Sequence, residues 1–237
     1  MAKVLEESKQ LVTQHNHLIE SSYKMTLNEK RLLMLGLSKV NPMTMPARDE
    51  PITFTVTAME YCSVYNLDIK NTYRELQAAA KLLRQRYVKF HDKIGVIEDV
   101  NWIDSIKYYS RQGKVQVRLS WGIQLRLQGI FQQFTNVDLT KIQQLNSFYS
   151  IRLYELLKQF DSTGFRTISL EDLRFAMGVE KGAYKTVSEL KRNVLKPALK
   201  ELAVKSDLEI TYKDKREGRL IVGFEFYFSI KKQVDLF

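Results

Sequence analysis

Ile52-Thr53-Phe54-Thr55-Val56-Thr57-Ala58-Met59-Glu60 places a short strand directly before a helix start, and this junction decides the fold. Residues 52–56 alternate with the period of a half-buried strand. Thr57, with Glu60 three residues on, forms a capping box that opens a helix to about Tyr65. Upstream, Thr26-Leu27-Asn28-Glu29 is another capping box, and Leu32, Leu33, Leu35 and Leu37 predict a helix from Leu27 to Lys39, ended by Asn41-Pro42. Downstream of the turn Asn66-Leu67-Asp68, Ile69, Tyr73, Leu76, Ala80, Leu83 and Tyr87 recur every three or four residues as one apolar helical face. Lys70, Arg74, Gln77, Lys81 and Arg84 form a basic stripe beside it. Two long strands are then expected, Val100–Tyr109 and Lys114–Trp121, joined by Ser110-Arg111-Gln112-Gly113. Short helix, turn, basic helix and hairpin is the order of a winged helix-turn-helix.

The pattern recurs. Leu139, Ile142, Leu145, Tyr149, Leu153, Leu156 and Phe160 predict one long amphipathic helix from Asp138 to Phe160, stopped by Asp161-Ser162-Thr163-Gly164. Arg166-Thr167-Ile168 then reads as a strand, Ser169-Leu170-Glu171-Asp172 as a capped helix start, and Gly178–Gly182 as the turn. Val187, Leu190, Val194, Ala198 and Leu202 make an apolar face beside the basic Lys185, Ser188, Arg192, Lys196 and Lys200. Pro197 predicts a kink in that helix, because its ring clashes with the carbonyl of Asn193. Leu208, Ile210 and Tyr212 form a strand, Lys213–Arg219 a basic loop, and Leu220, Val222, Phe224, Phe226 and Phe228 the buried side of a closing strand. The equivalent helix starts, Thr57 and Ser169, lie 112 residues apart. The expected fold is α+β: two tandem winged helix-turn-helix domains, 1–134 and 135–237, joined by a long helix.

Composition agrees with such a pair. The chain has 237 residues, 44% of them hydrophobic, enough for two real cores. Lys and Arg number 37 against 27 Asp and Glu, a formal charge of +10 that favours a polyanionic partner. The surplus sits on the two second helices: Asn71–Lys93 carries six basic residues against two acidic, and so does Ala183–Lys205. A basic helix with a basic wing, twice in one chain, points to DNA.

Other chemistries find no support. The single cysteine, Cys62, rules out a disulfide framework within the chain and reads as a buried structural thiol. There is no G-x-x-x-x-G-K-[ST]. Apolar runs fall short of the ~18 residues of a membrane span, and residues 1–20 are too polar for a signal peptide; a cytoplasmic protein is expected. His15-Asn16-His17 would place two imidazoles on one side of a strand, as in metal-dependent rolling-circle nickases. Polar Gln14 and Asn16 and the lack of a later acidic ligand argue for an ordinary N-terminal segment, so no metal, cofactor or catalysis is expected. Leu11, Leu18, Met25 and Leu32 repeat every seven residues, but Ser21-Ser22 interrupts them and no companion apolar position follows. They read as core rather than as a zipper.

Val12-Thr13-Gln14-His15-Asn16-His17-Leu18-Ile19-Glu20, Leu27-Asn28-Glu29-Lys30-Arg31-Leu32-Leu33 and Phe148-Tyr149-Ser150-Ile151-Arg152-Leu153-Tyr154-Glu155-Leu156-Leu157-Lys158 resemble the replication initiator proteins of iteron-controlled bacterial plasmids. The resemblance covers essentially the whole chain. It implies monomers bound to directly repeated origin sequences, dimers bound to an inverted repeat that represses the initiator's own gene, and contacts with host replication proteins such as the host initiator and replicative helicase. It also implies that the histidine pair holds no metal and that dimers form through the first winged helix. Carried over, the C-terminal reading helix falls on Tyr184–Ala203, with Lys191, Arg192 and Asn193 entering the major groove. Arg192 and Asn193 suit guanine and adenine edges, while Lys185, Thr186, Ser188 and Lys196 suit phosphates. Lys213, Lys215, Arg216 and Arg219 form the wing. In the first domain Lys70, Asn71, Arg74, Lys81 and Arg84, with Lys107, Arg111 and Lys114 on the hairpin, take the corresponding part with more phosphate contact. A plain dimeric repressor is the competing function, and a nickase a more distant one.

Overall fold

The computed structural model describes residues 10–41, 50–91, 95–127 and 134–231. Pro42, and Asp92 and Lys93 of the first basic segment, lie outside the described residues. The chain runs β1 (Leu11–His15), α1 (Asn16–Glu20), α2 (Leu27–Leu37), β2 (Thr53–Thr57), α3 (Ala58–Tyr65), α4 (Ile69–Leu83), β3 (Tyr87–His91), β4 (Ile97–Asn101), β5 (Ile103–Tyr109), β6 (Lys114–Leu119), α5 (Trp121–Leu127) and β7 (Phe134–Asp138). It continues through α6 (Leu139–Ile142), α7 (Phe148–Lys158), β8 (Phe165–Ser169), α8 (Leu170–Ala176), α9 (Val187–Leu190), a π turn (Lys191–Leu195), α10 (Lys196–Lys205), β9 (Leu208–Glu217) and β10 (Leu220–Ile230).

The repeat is exact in topology. One three-stranded antiparallel sheet has the order β2-β6-β5 and the other β8-β10-β9, so in each the entry strand pairs with the last strand of the wing. Thr57 and Ser169 cap equivalent helices, accepting from the amides of Glu60 and Asp172. Such a cap contributes about 1 kcal/mol. The halves differ in the turn: α3 to α4 takes three residues, pivoting on Asn66 in the left-handed region, whereas Met177–Thr186 separates α8 from α9. This is the two-winged-helix α+β fold.

Several expected elements change. The long helix 138–160 is broken: residues 143–147 leave the helix, and α7 restarts after Ser147. The backbone groups that a continuous helix would use are taken from outside, since Arg31 donates to the carbonyl of Leu145 at 3.1 Å and Glu201 accepts the amide of Asn146 at 2.8 Å. The helix expected to reach Tyr87 stops at Leu83, and Tyr87 instead opens β3, which pairs with β4. Its buried face is Thr72, Leu76, Ala79, Ala80 and Leu83, turned away from exposed Ile69.

The strand Val100–Tyr109 is two strands serving different sheets, divided at buried Trp102, whose amide donates to Arg86. Its partner strand stops at Leu119, and Trp121 begins α5. The basic loop Lys213–Arg219 is mostly strand, since β9 and β10 form one long hairpin that turns only at Glu217–Arg219. A bulge between Ile221 and Gly223 shifts the alternation, leaving Leu220 72% exposed rather than buried. At Pro197 the π turn moves the hydrogen-bond register, with the Lys196 amide donating to Lys191, so the proline falls in the first turn of α10, where it has no ladder partner to lose.

Leu18, Met25 and Leu32 are core residues, while Leu11 is half-exposed at the edge of the β1–β7 pair. Cys62 is half-buried, its thiol donating to the Leu67 carbonyl at 2.6 Å. His15 caps α1, its Nδ1 accepting the amide of His17 at 3.1 Å. No helix among the described residues is long and apolar enough to cross a membrane.

Candidate nucleic-acid interface

In the second domain the helix expected to read DNA is built in three pieces, α9, the π turn and α10. Arg174 of α8 donates to the carbonyls of Ala183 (3.2 Å) and Tyr184 (2.6 Å), holding Tyr184 at φ 48, where a bulky side chain is strained. Thr186 and Glu189 then close a reciprocal capping box that starts α9. Leu190, Val194, Leu195, Ala198 and Leu202 bury one face. The opposite face leaves Lys185, Thr186, Ser188, Arg192, Asn193 and Lys196 exposed.

These cations are not equivalent. Arg192 has no ion-pair partner among the described residues. Lys191, half-buried, is held instead by Asp214 of β9, so it joins the helix to the wing rather than opening to solvent. Asn193 is exposed, and its Nδ2 donates to the Glu189 carbonyl one turn back at 2.9 Å. On the wing Lys213, Lys215, Arg216 and Arg219 are exposed, with Lys213 over the Tyr227 ring and Arg216 3.4 Å from Asp214.

The first domain repeats this arrangement with a shorter approach. Asp68 caps α4, and Lys70, Asn71, Arg74, Lys81 and Arg84 are exposed along it, Arg74 donating to Asn71 at 3.2 Å. Tyr73 reaches the wing tip, its hydroxyl 3.4 Å from Ser110 Oγ. Gly113, at φ 56, supplies the left-handed residue of that tip. Lys107 and Arg111 are exposed there, and Lys114 is half-buried over the Tyr109 ring. The residues singled out in the sequence thus lie on a second helix, on the turn that leads into it or on a wing, and among the described residues Lys191 and Arg216 share an ion pair with Asp214.

A cleft of roughly 860 Å³ separates β3 from the α8–α9 turn. Lys24 and Lys181 line it, and neither stands out in the sequence because turn residues have no periodicity to mark them. Lys24 pairs with Glu180 at 3.0 Å and Arg86 with buried Glu29 at 2.7 Å.

The sequence matches the family model described as Initiator Replication protein, WH1, over residues 11–158, and that described as Initiator Rep protein, WH2, over residues 169–228. It is 26% identical over 219 residues to an uncharacterized 27.6 kDa protein of Escherichia coli, covering 89% of this chain and 92% of that one. It is 31% identical over 103 residues to a probable replication protein rep of Bifidobacterium longum (strain NCC 2705), covering 44% of this chain but 34% of that one. The crystal structure of the Pi initiator protein in complex with iteron DNA superposes with a TM-score of 0.80 at 21% identity, covering 96% of this chain and 100% of that chain, which is a likeness of fold. The two matched units are the two winged helices built up above, and the chain belongs to the initiator replication (Rep) protein family.

Proposed function

We propose that this chain starts replication of a bacterial plasmid by binding, as a monomer, directly repeated double-stranded sites in the origin, both winged helices engaging one repeat. The observation that carries this reading is the duplication itself: each unit presents an exposed cationic helix and an exposed cationic wing on the same topology. A repressor needs one reading unit and a dimer interface, whereas this chain carries two winged helices, each with an exposed cationic helix and wing. Two such helices on one face of a duplex sit about 10–10.5 bp apart, so one chain should cover roughly two turns. Arg192 and Asn193 would read bases, and the first domain would mainly hold phosphates. The Pi initiator was crystallised with iteron DNA, which is the same class of ligand.

In the same reading, two chains occupy an inverted repeat and repress the initiator's own gene, host replication proteins such as the initiator and the replicative helicase are recruited in the bacterial cytoplasm, and the chain itself catalyses nothing. Footprinting on the DNA flanking its gene, followed by native mass spectrometry on one direct and one inverted repeat, tests this. One chain on the direct repeat and two on the inverted repeat are expected. An obligate dimer on both would favour a plain repressor, and a specific nick in supercoiled origin DNA with Mg²⁺ or Mn²⁺ would make it an enzyme.

A further inference from the structure

The sequence blocks 27–33 and 148–158 carry charges that never reach solvent. Glu29, Lys30, Arg31, Arg152 and Glu155 are all buried, although α2 and α7 are short helices of a strongly charged protein. Arg152 is the centre. Its Nη1 donates to Glu155 Oε2 (2.9 Å) and to the Tyr23 hydroxyl (2.6 Å). Its Nη2 donates to the carbonyls of Ile19 (2.6 Å), Ser21 (3.0 Å) and Ala176 (2.6 Å), and Nε again to Ala176 (3.1 Å). Lys30 completes the cluster 2.7 Å from Glu155 Oε1.

Those carbonyls belong to different reading units. Ile19 and Ser21 precede α2 of the first winged helix, and Ala176 ends the first helix of the second. Beside them Gly178, at φ 64, packs so closely on the Tyr23 carbonyl that a Cβ would overlap it. One planar guanidinium therefore bridges the two winged helices, beside the Gly178–Tyr23 contact and the Lys24–Glu180 pair.

Stability alone does not account for this arrangement. A buried ion cluster is often no more stabilising than apolar residues of the same volume, because desolvation offsets the attraction. What the fork of an arginine adds is direction. We propose that Arg152 is a positioning residue for DNA recognition: by clamping the Ile19–Ser21 carbonyls to the Ala176 carbonyl it sets the base-pair spacing at which one chain accepts a site. This rests on the reading that both units engage one duplex.

The full chain is tested on three duplexes: the footprinted direct repeat, the same repeat with two base pairs inserted between the two contacted halves, and a duplex carrying the half read by the second domain alone. Wild-type protein is expected to lose on the order of 10–100-fold on insertion, because a rigid two-site binder forfeits its second contact. Arg152→Lys keeps a charge but not the fork. It should bind the half-site as wild type, lose affinity for the natural repeat, and lose little more on insertion.

Tyr23→Phe removes one acceptor and keeps the ring that stands edge-on to Trp102, and it serves if Arg152→Lys does not fold. Wild-type spacing discrimination in the folded variant, or an equal loss on half-site and full repeat, overturns the proposal. Wild-type protein that binds half-site and full repeat equally overturns the two-domain reading, and the proposal with it.

Discussion

The ammonium of Lys191 lies 2.8 and 3.1 Å from the two carboxylate oxygens of Asp214, so the π turn of the reading helix is tied to the second strand of its own sheet. The pair sits at the edge of the cationic face, where Asp214 also approaches Arg216. Its consequence is that one lysine of the face is neutralised before DNA arrives. Asp214→Asn should release it and remove a negative charge from the wing. On random duplex the slope of log K against log salt should steepen by about one, and the ratio of specific to random affinity should fall because the wing is less firmly held. Fluorescence anisotropy over a salt series measures both; an unchanged slope with an unchanged ratio would show that the pair lies off the DNA path.

If both cationic faces engage one duplex, as proposed, phosphates should dominate affinity. The wild-type slope on the specific site should be on the order of −6 or steeper, corresponding to some seven neutralised phosphates. A slope shallower than about −3 would mean that a single domain binds.

Arg192 and Lys81 separate readout from positioning. Both side chains are exposed on their reading helices. Arg192→Ala should cost about 1–3 kcal/mol on the specific site and much less on random DNA, whereas Lys81→Ala should weaken both alike. Equal losses for Arg192→Ala on the two DNAs would place that helix on the backbone and remove base reading from the second domain.

The legible part of the molecule was whatever local periodicity and capping decide. Thr57, Ser169 and the stripes of α4 and α9–α10 signal themselves within a few residues, and with them the duplication and every exposed cation assigned to DNA. What escaped was decided at long range. The break at 143–147 exists because Arg31 and Glu201, both distant in sequence, take the backbone groups there. Tyr87 continues the helical apolar spacing of α4, and only its pairing with Asn101 shows that it opens β3. Glu29-Lys30-Arg31 looks like a solvated run, and only the fold shows each charge turned inward: to Arg86, to Glu155, and to Leu145 and Asn146. The signal for this was present as a resemblance, since those residues belong to the blocks most like the family, but nothing local marks a buried charge.

The buried cluster also fixes how stability responds to acid. Burial alone would raise the Glu155 carboxyl, but Lys30, Arg152 and the hydrogen bond from Gln14 outweigh it and hold the group below its ordinary value of 4.5. A carboxyl lower in the folded than in the unfolded chain contributes stability that is complete above the ordinary value and is lost as pH falls below it toward the depressed one, where the native state must take up the proton. Glu201 is lowered in the same direction: burial opposes the shift, and Ser150, the Asn146 amide and Lys205 overcome it, so the acid limb loses support on both sides of α7. Glu155→Gln leaves Lys30 buried beside a neutral amide and should cost about 3–5 kcal/mol at pH 7. Because wild-type protein forfeits the same interaction on protonation, the gap between the two should narrow steadily below pH 4.5. Urea unfolding of both proteins from neutral pH into the acid limb gives the comparison. A gap that stays constant into the acid limb would mean that the Glu155 carboxyl takes up its proton equally in the folded and the unfolded chain, so that Lys30 and Arg152 do not favour its charged form on balance.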